Sequence, residues 1–305
     1  MNIITAQNAG FCETESEKKI IIAKNAGFCF GVRRAVDTVY DEIADQARNA
    51  NKIPIYTYGL IIHNMEVVKD LEAKGVKIIH NEDELKAISH GTVIIRTHGV
   101  AKRIHQLMSG LNLNIIDTTC PYVRRIHQIV EKESREGRRI IITGNLGHPE
   151  VEGITGWAES EVFVVESEQD ARILAEKIDD NACIVSQTTF NYNKFQDIVD
   201  IFMEKCYNGT IVNTICSATE ERQIETGRIA KEVDAMIVIG DIHSSNTAKL
   251  VEISRKECAN TYFVQTLKDL PDKLPKTTTL IGITAGASTP NNIIEEVQKH
   301  VRTNF

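Results

Sequence analysis

Three of the seven cysteines stand at the same kind of place in the chain. Cys29 ends the run KIIIAKNAGFC and is followed by FGVRRAVDTVYDEI. Cys120 ends LNIIDTTC and precedes PYVRRIHQIVEKE, and Cys216 ends TIVNTIC and precedes SATEERQIETGRIAKEV. The spacings are 91 and 96 residues. Each time, an apolar strand-like run leads to a cysteine and then to helical sequence. A cysteine at a helix N-terminus is expected to have a lowered pKa, because backbone N–H groups and the macrodipole favour the thiolate. Three thiolates meeting at one point would repel unless a metal centre joined them. An iron–sulfur cluster usually takes four cysteines, so three leave one iron of a [4Fe–4S] cluster open to a ligand. Zinc held by three cysteines and a water is the rival. The lack of any CxxC pair counts against zinc without excluding it. A third reading is three buried, inert cysteines.

Polar groups recur with the cysteines. About 30 residues on come YTYGLIIHN with His63, IIITGNLGHPE with His148, and MIVIGDIHSSN with Ser244, Ser245 and Asn246. About 70 residues on come VIIRTHG with His98, CIVSQTT with Thr188 and Thr189, and LIGITAGAST with Ser288. Measured from each cysteine, His63, His148 and Ser245 lie at 34, 28 and 29, and His98, Thr188 and Ser288 at 69, 68 and 72. Imidazoles, hydroxyls and an amide suit a phosphate, and histidines beside one are expected to act as charged donors. SSN and GAST resemble anion-cradling turns, though neither is a Walker loop. Glu150 is the best candidate acid, since partial burial at a strand end would raise its pKa. Glu152 is the nearest competitor, and for either the plain alternative is a solvated loop carboxylate.

These positions require a scaffold that repeats. Apolar runs alternate with amphipathic segments, the signature of an α/β protein. Val32, Ala35, Val36, Val39, Tyr40 and Ile43 fall at helical spacing, and Pro121 suits the first residue of a helix. Functional groups in open α/β sheets collect at the carboxyl ends of strands. The expected fold is therefore three similar α/β lobes in a pseudo-threefold arrangement around one centre. The expected divisions are a flexible extension at 1–18 and lobes at 19–112, 113–208 and 209–305.

The bulk properties narrow the class. The chain has 305 residues and a formal net charge of −7, which disfavours a general nucleic-acid binder. No apolar run approaches the roughly 20 residues of a membrane span, and residues 1–19 lack a signal-peptide pattern. Widely spaced, odd-numbered cysteines point to a reducing cytoplasm, so neither membrane nor nucleic acid is an expected partner.

The segments NAGFCFGVRRAV, HN at 63–64, RTHGV, DTTCPYV, GHPEVEG, SQTT, ICSATEERQ, SSN and TAGASTP stand in order between about residues 19 and 298. Together they resemble the 4-hydroxy-3-methylbut-2-enyl diphosphate reductase family, the last step of the methylerythritol phosphate route to isoprenoids. The resemblance implies a [4Fe–4S] cluster on Cys29, Cys120 and Cys216, with the substrate's hydroxyl on the open iron. It implies that the hydroxyl leaves as water after two electrons and protons arrive, giving isopentenyl and dimethylallyl diphosphates. His63, His98, Ser244, Asn246 and Ser288 would hold the diphosphate, with His148, Thr188 and Ser245 completing the pocket. Glu150 would deliver the proton and Thr188 would order a water or the hydroxyl. Thr219 would support the cluster, and a ferredoxin or flavodoxin would supply electrons. NAGFC occurs twice, at 8–12 and 25–29, but GVRRAV follows only the second copy, so Cys29 rather than Cys12 is assigned as ligand. His243 receives no role. Two other readings use the same cysteines: a non-redox hydratase or dehydratase, and an iron–sulfur sensor or binding module.

Overall fold

The computed structural model describes residues 19–48, 53–178, 181–205 and 209–305. Cys12, Cys206 and the expected extension at 1–18 lie outside the described residues. The chain runs β1 (Lys19–Ile22), α1 (Phe30–Arg48), β2 (Ile55–Tyr58), α2 (Met65–Ala73), β3 (Lys77–Ile79), α3 (Glu82–Lys86), β4 (Thr92–Ile95), α4 (Lys102–Ser109) and β5 (Asn114–Asp117). It continues with α5 (Pro121–Arg135), β6 (Arg139–Thr143), α6 (Pro149–Thr155), β7 (Val162–Val165), α7 (Glu168–Ala175), β8 (Ala182–Ser186), α8 (Tyr192–Glu204) and β9 (Thr210–Ile211). It ends with α9 (Ser217–Glu232), β10 (Ala235–Ile239), α10 (Ser245–Glu257), β11 (Thr261–Val264), β12 (Leu280–Ala285) and α11 (Asn291–Asn304). Among the described residues, no helix is long and apolar enough to cross a membrane.

Three parallel four-stranded sheets result, in the orders β3-β2-β4-β5, β7-β6-β8-β9 and β11-β10-β12-β1. The pattern is the same three times. The strands TVII, ACIVS and AMIVI are buried throughout, as parallel strands covered on both faces must be. Successive residues feed opposite cores: Ile184 packs with Phe195 and Phe202, whereas Cys183 and Val185 pack with Ile126 and Val130.

The sheets are cut one strand later than the divisions expected after residues 112 and 208. β5 completes the sheet of β2–β4, β9 completes that of β6–β8, and β1 completes the last sheet through β12. A parallel strand can join its sheet only after a crossover, so the strand that opens each sequence repeat closes the preceding lobe. The next helix belongs to the following lobe. Ala35 and Val36 of α1 pack with Ile55 and Ile94, Ile126 of α5 with Ile140, and Ile229 of α9 with Met236. Each of Cys29, Cys120 and Cys216 therefore sits where the chain crosses from one lobe to the next, and the three crossings meet.

The seams are stitched in a ring. Arg34 of α1 donates through Nη2 to the carbonyls of Thr118 (3.0 Å) and Thr119 (2.7 Å), just before Cys120. Tyr122 of α5 shares a 3.0 Å hydroxyl contact with Ser217, just after Cys216. Arg222 of α9 donates through Nη2 to the carbonyl of Gly27 (3.0 Å), just before Cys29. The first turn of α1 comes so close to Cys120 that a Cβ on Gly31 would lie 2.8 Å from its Sγ. Gly31→Ala is expected to force these elements apart at a cost of roughly 1–3 kcal/mol. Urea denaturation should read this as a lower midpoint with an unchanged slope.

Candidate active site

Each cysteine amide is fixed by a turn from the adjoining sheet. Cys29 N–H donates to Ala287 O (3.3 Å), Cys120 N–H to Thr97 O (3.0 Å) and Cys216 N–H to Thr188 O (3.1 Å). All three acceptors lie two residues past the ends of the paired strands β12, β4 and β8. The side chains line one cavity, with an empty volume of about 750 Å³ including its open mouth. Against the expectation from helix position alone, the thiol of Cys120 is pushed up to about 11, chiefly by burial, with repulsion from Cys29 and Cys216 adding to it. Burial likewise raises Cys216, although the amides of Ala218 and Thr219 pull the other way. Desolvation and like charges outweigh two N–H groups until a cationic centre arrives.

The spread of the thiols decides what such a centre could be. Among the described residues, the set of three ligand atoms lying within 4.8 Å of one another comes from His63, His98 and His148, not from the cysteines. One zinc ion with bonds of about 2.3 Å needs sulfurs no more than about 4.6 Å apart. The cysteines are too widely spread for that and suit a centre that places its metals apart, as an iron–sulfur cluster does.

The histidines line the same cavity, with ring centroids 4.6, 5.3 and 5.5 Å apart. Their hydrogen bonds fix two tautomers. His63 Nδ1–H donates to His243 O at 2.7 Å, so its Nε2 faces the cavity as a lone pair when neutral. His148 caps α6 by accepting the Glu150 N–H at Nδ1 (3.1 Å), so its proton is on Nε2. A protonated Nε2 cannot ligate a metal, and the trio therefore suits an anion. Burial leads the lowering of all three pKa values, with neighbouring histidines and Arg96 adding to it; His148 falls to about 3. Burial therefore opposes the expected charged form of these donors, and an adjacent anion would favour it.

The third lobe supplies hydroxyls and an amide. Ser244 caps α10, accepting from Thr247 N–H at 3.3 Å. Ser288 Oγ donates to His63 O (2.9 Å) and lies 3.3 Å from Ser244 Oγ. Thr189 Oγ1 donates to Ser245 Oγ (3.0 Å). Both side-chain amide atoms of Asn246 are buried at the cavity wall without a partner. Such orphans are costly unless a ligand satisfies them. Counted from strand ends, Ser244 rather than Ser245 matches His63 and His148, and Thr189 rather than Thr188 matches His98 and Ser288. Thr188 matches Thr97 and Ala287 instead.

That register explains the acid. Glu150, in the first turn of α6, is 1% exposed. Its two oxygens accept from Thr188 N–H (2.6 Å) and Thr188 Oγ1–H (2.8 Å). Burial raises its pKa to about 7 against the opposing pull of those bonds. Glu152 is exposed and stands outside the cavity lining. Thr219 is buried at the lining beside Cys216.

Several contributors escaped the sequence reading. Asp241 bridges the Met65 N–H (2.9 Å) and the His243 N–H (2.8 Å), setting the carbonyl that orients His63. His243 acts through that carbonyl, and its own side chain is exposed. Arg34 and Arg222 hold cysteine loops. The only available signal was an arginine five or six residues after a cysteine.

An anion on this wall should bind protons with it. His63 can donate through Nε2 only after taking a proton, and an adjacent anion raises its pKa. Pyrophosphate affinity should weaken as pH rises from the low value of the empty site to the higher value of the filled one. Calorimetry near pH 7 in buffers of different ionisation enthalpy should show about one proton more taken up by the parent chain than by His63→Asn.

Comparison with known proteins bears on the whole arrangement. A family model described as LytB protein matches residues 20–302. The chain is 42% identical over 303 residues to a 4-hydroxy-3-methylbut-2-enyl diphosphate reductase of Caldanaerobacter subterraneus subsp. tengcongensis, covering 99% of this chain and 97% of that relative. It is 41% identical to the protein of the same name from Clostridioides difficile, covering 97% and 98%. The solved E-1-hydroxy-2-methyl-but-2-enyl-4-diphosphate reductase of Plasmodium falciparum superposes with a TM-score of 0.83 at 31% identity, over 93% of this chain and 87% of that one. A second solved structure, titled as the terminal enzyme of the non-mevalonate pathway, gives 0.67 at 36% identity over 93% and 99%. With its three crossing cysteines, its cavity lined by histidines and hydroxyls and a match running nearly end to end, the chain belongs to the LytB protein family.

Proposed function

We propose that this chain removes the hydroxyl group of 4-hydroxy-3-methylbut-2-enyl diphosphate by reduction, giving isopentenyl and dimethylallyl diphosphates. The observation that carries the reading is one cavity with three kinds of wall: spread thiols, an anion ring, and a buried acid between them. The relatives' shared name supports it and leaves the dehydratase and sensor readings without support. The reaction balances when one C–O bond breaks, one C–H bond forms, two electrons and two protons enter, and one water leaves. Cys29, Cys120 and Cys216 are the residues that would hold a [4Fe–4S] cluster. When bound, that cluster supplies the electrons and a Lewis-acidic iron for the substrate's hydroxyl. A ferredoxin or flavodoxin in the cytoplasm is the proposed electron source.

The chain's own residues do the rest. The diphosphate lies against His63, His98, Ser244, Asn246 and Ser288, whose donors are free or become free when it enters. His148 adds its Nε2–H, and Ser245 braces the ring through Thr189. Two hydroxyls, an amide and three imidazoles, that of His63 protonated, hold the phosphate end, which orients the other end toward the thiol wall. Val32, Ile62 and Val123 line the space between and exclude water around the carbon skeleton. Glu150 is half protonated near neutrality. When it carries its proton, it donates to Thr188 Oγ1, and the Thr188 hydroxyl hydrogen is freed to point into the cavity. The pair thus relays a proton from a buried carboxyl to a leaving hydroxyl, which is a poor leaving group until protonated.

The sign of the pH dependence follows. The working form of Glu150 is the acid, which is lost as pH rises through about 7. Single-turnover rates should therefore fall above neutrality. Glu150→Gln should keep its iron, sulfide and substrate affinity but lose roughly 10²–10⁴-fold in rate, without the neutral pH break. Glu152→Gln should turn over normally. Near-normal turnover in Glu150→Gln would sink the assignment.

A further inference from the structure

Arg222 is 4% exposed, six residues beyond Cys216 on α9. Its Nη2 is engaged by Gly27 O at 3.0 Å, two residues before Cys29. Nε and Nη1 are buried with no hydrogen-bond partner among the described residues. Among the described residues, no carboxylate closes an ion pair with it. Glu225, one turn on, spends its two oxygens on the Lys24 and Asn25 N–H groups (2.9 and 3.1 Å). An arginine is always charged, and a buried charge is retained only where an opposite charge compensates it. The negative charges that act on Arg222 are those the thiols of Cys29 and Cys216 would carry as ligands, followed by that of Glu225. Arg34, the comparable residue on α1, has its Nη2 shared by two carbonyls. Arg222 meets one carbonyl and so bridges from the helix that follows Cys216 to the loop that presents Cys29, with Nε and Nη1 left unpaired among the described residues.

We propose that Arg222 is the fixed counter-charge of the cysteine-held centre and sets its reduction potential, while pinning the loop that presents Cys29. The inference rests on the cluster reading above. Three thiolates around a [4Fe–4S]²⁺ core carry a net charge of −1, and reduction makes it −2. A buried cation nearby stabilises the reduced form more than the oxidised one, and low dielectric strengthens the effect. The cation therefore eases electron entry from the donor. It touches neither substrate nor leaving group, so it acts as a positioning and tuning residue.

The test is an anaerobic redox titration of the purified holoprotein, followed by visible absorption and electron paramagnetic resonance, with iron and sulfide analysis alongside. Three variants separate charge from shape. Arg222→Lys keeps the charge, Arg222→Gln keeps a donor for Gly27 O without the charge, and Arg222→Met keeps neither. Arg222→Lys should stay close to the parent. Arg222→Gln and Arg222→Met should both shift toward the oxidised form by at least tenfold at fixed poise, about 59 mV lower for a one-electron couple. Should the neutral variants fail to assemble a cluster while Arg222→Lys assembles one, the charge requirement holds at assembly. An unshifted potential in Arg222→Gln overturns the proposal, as does loss of the cluster in Arg222→Lys and Arg222→Met alike with retention in Arg222→Gln. A parent protein that binds no iron under reconstitution would instead overturn the cluster reading itself.

Discussion

The controlling constraint is desolvation of groups that must share one cavity, to which their mutual repulsion adds. Burial and the other cysteines raise the Cys120 and Cys216 thiols, and burial and neighbouring histidines lower the imidazoles. The two walls are thereby driven toward neutrality by the same physics acting on groups of opposite type. In the function proposed above, a cationic metal centre would take protons off the thiols and an anion would put protons onto the histidines. Each would do electrostatic work that the other could not, which would account for two chemically distinct parts of one lining.

The fold satisfies this constraint by topology. Because each lobe borrows its last strand from the next sequence repeat, each cysteine sits at a crossing between lobes and not within one. A ligand held inside a single sheet's edge could not be shared by three lobes. The symmetry extends to the amide bonds that fix the cysteines and stops at the side chains that do chemistry. The first lobe contributes two imidazoles, the second an imidazole and the Glu150–Thr188 pair, and the third hydroxyls and Asn246. A symmetric frame sets equivalent positions at equal depth, and different residues at those positions accommodate a molecule that has a charged end and a reacting end.

Much of this was legible because strand–cysteine–helix units recur at 91 and 96 residues. The cysteines, the strand-end polar groups and Glu150 all followed from that period. The errors have physical origins. Counting offsets from the cysteines placed Thr188 and Ser245 one residue out of register, since the loops between elements differ in length while strand pairing does not. The lobe divisions fell a strand early because pairing partners are not written in a local pattern. The thiol shift had the wrong sign because sequence reveals the helix terminus but not the depth of burial. His243 O and Gly27 O were invisible as partners of His63 and Arg222, because every residue has a carbonyl and only the fold says which one is used.

The placement of Glu150 and Arg222 bears on how the proposed electron and proton delivery would coexist. Glu150 and Arg222 both interact electrostatically with Cys216. The proton affinity of Glu150 is nevertheless set by burial and by its two bonds from Thr188, with no cation among its causes. A guanidinium beside Glu150 would hold the carboxylate ionised and remove its proton near neutrality. An acid beside Arg222 would neutralise the field that the cysteines receive. With the cation bonded beside Cys29 and the acid bonded to Thr188, one cavity would favour incoming electrons, as proposed, while burial still holds a proton on Glu150 near neutrality.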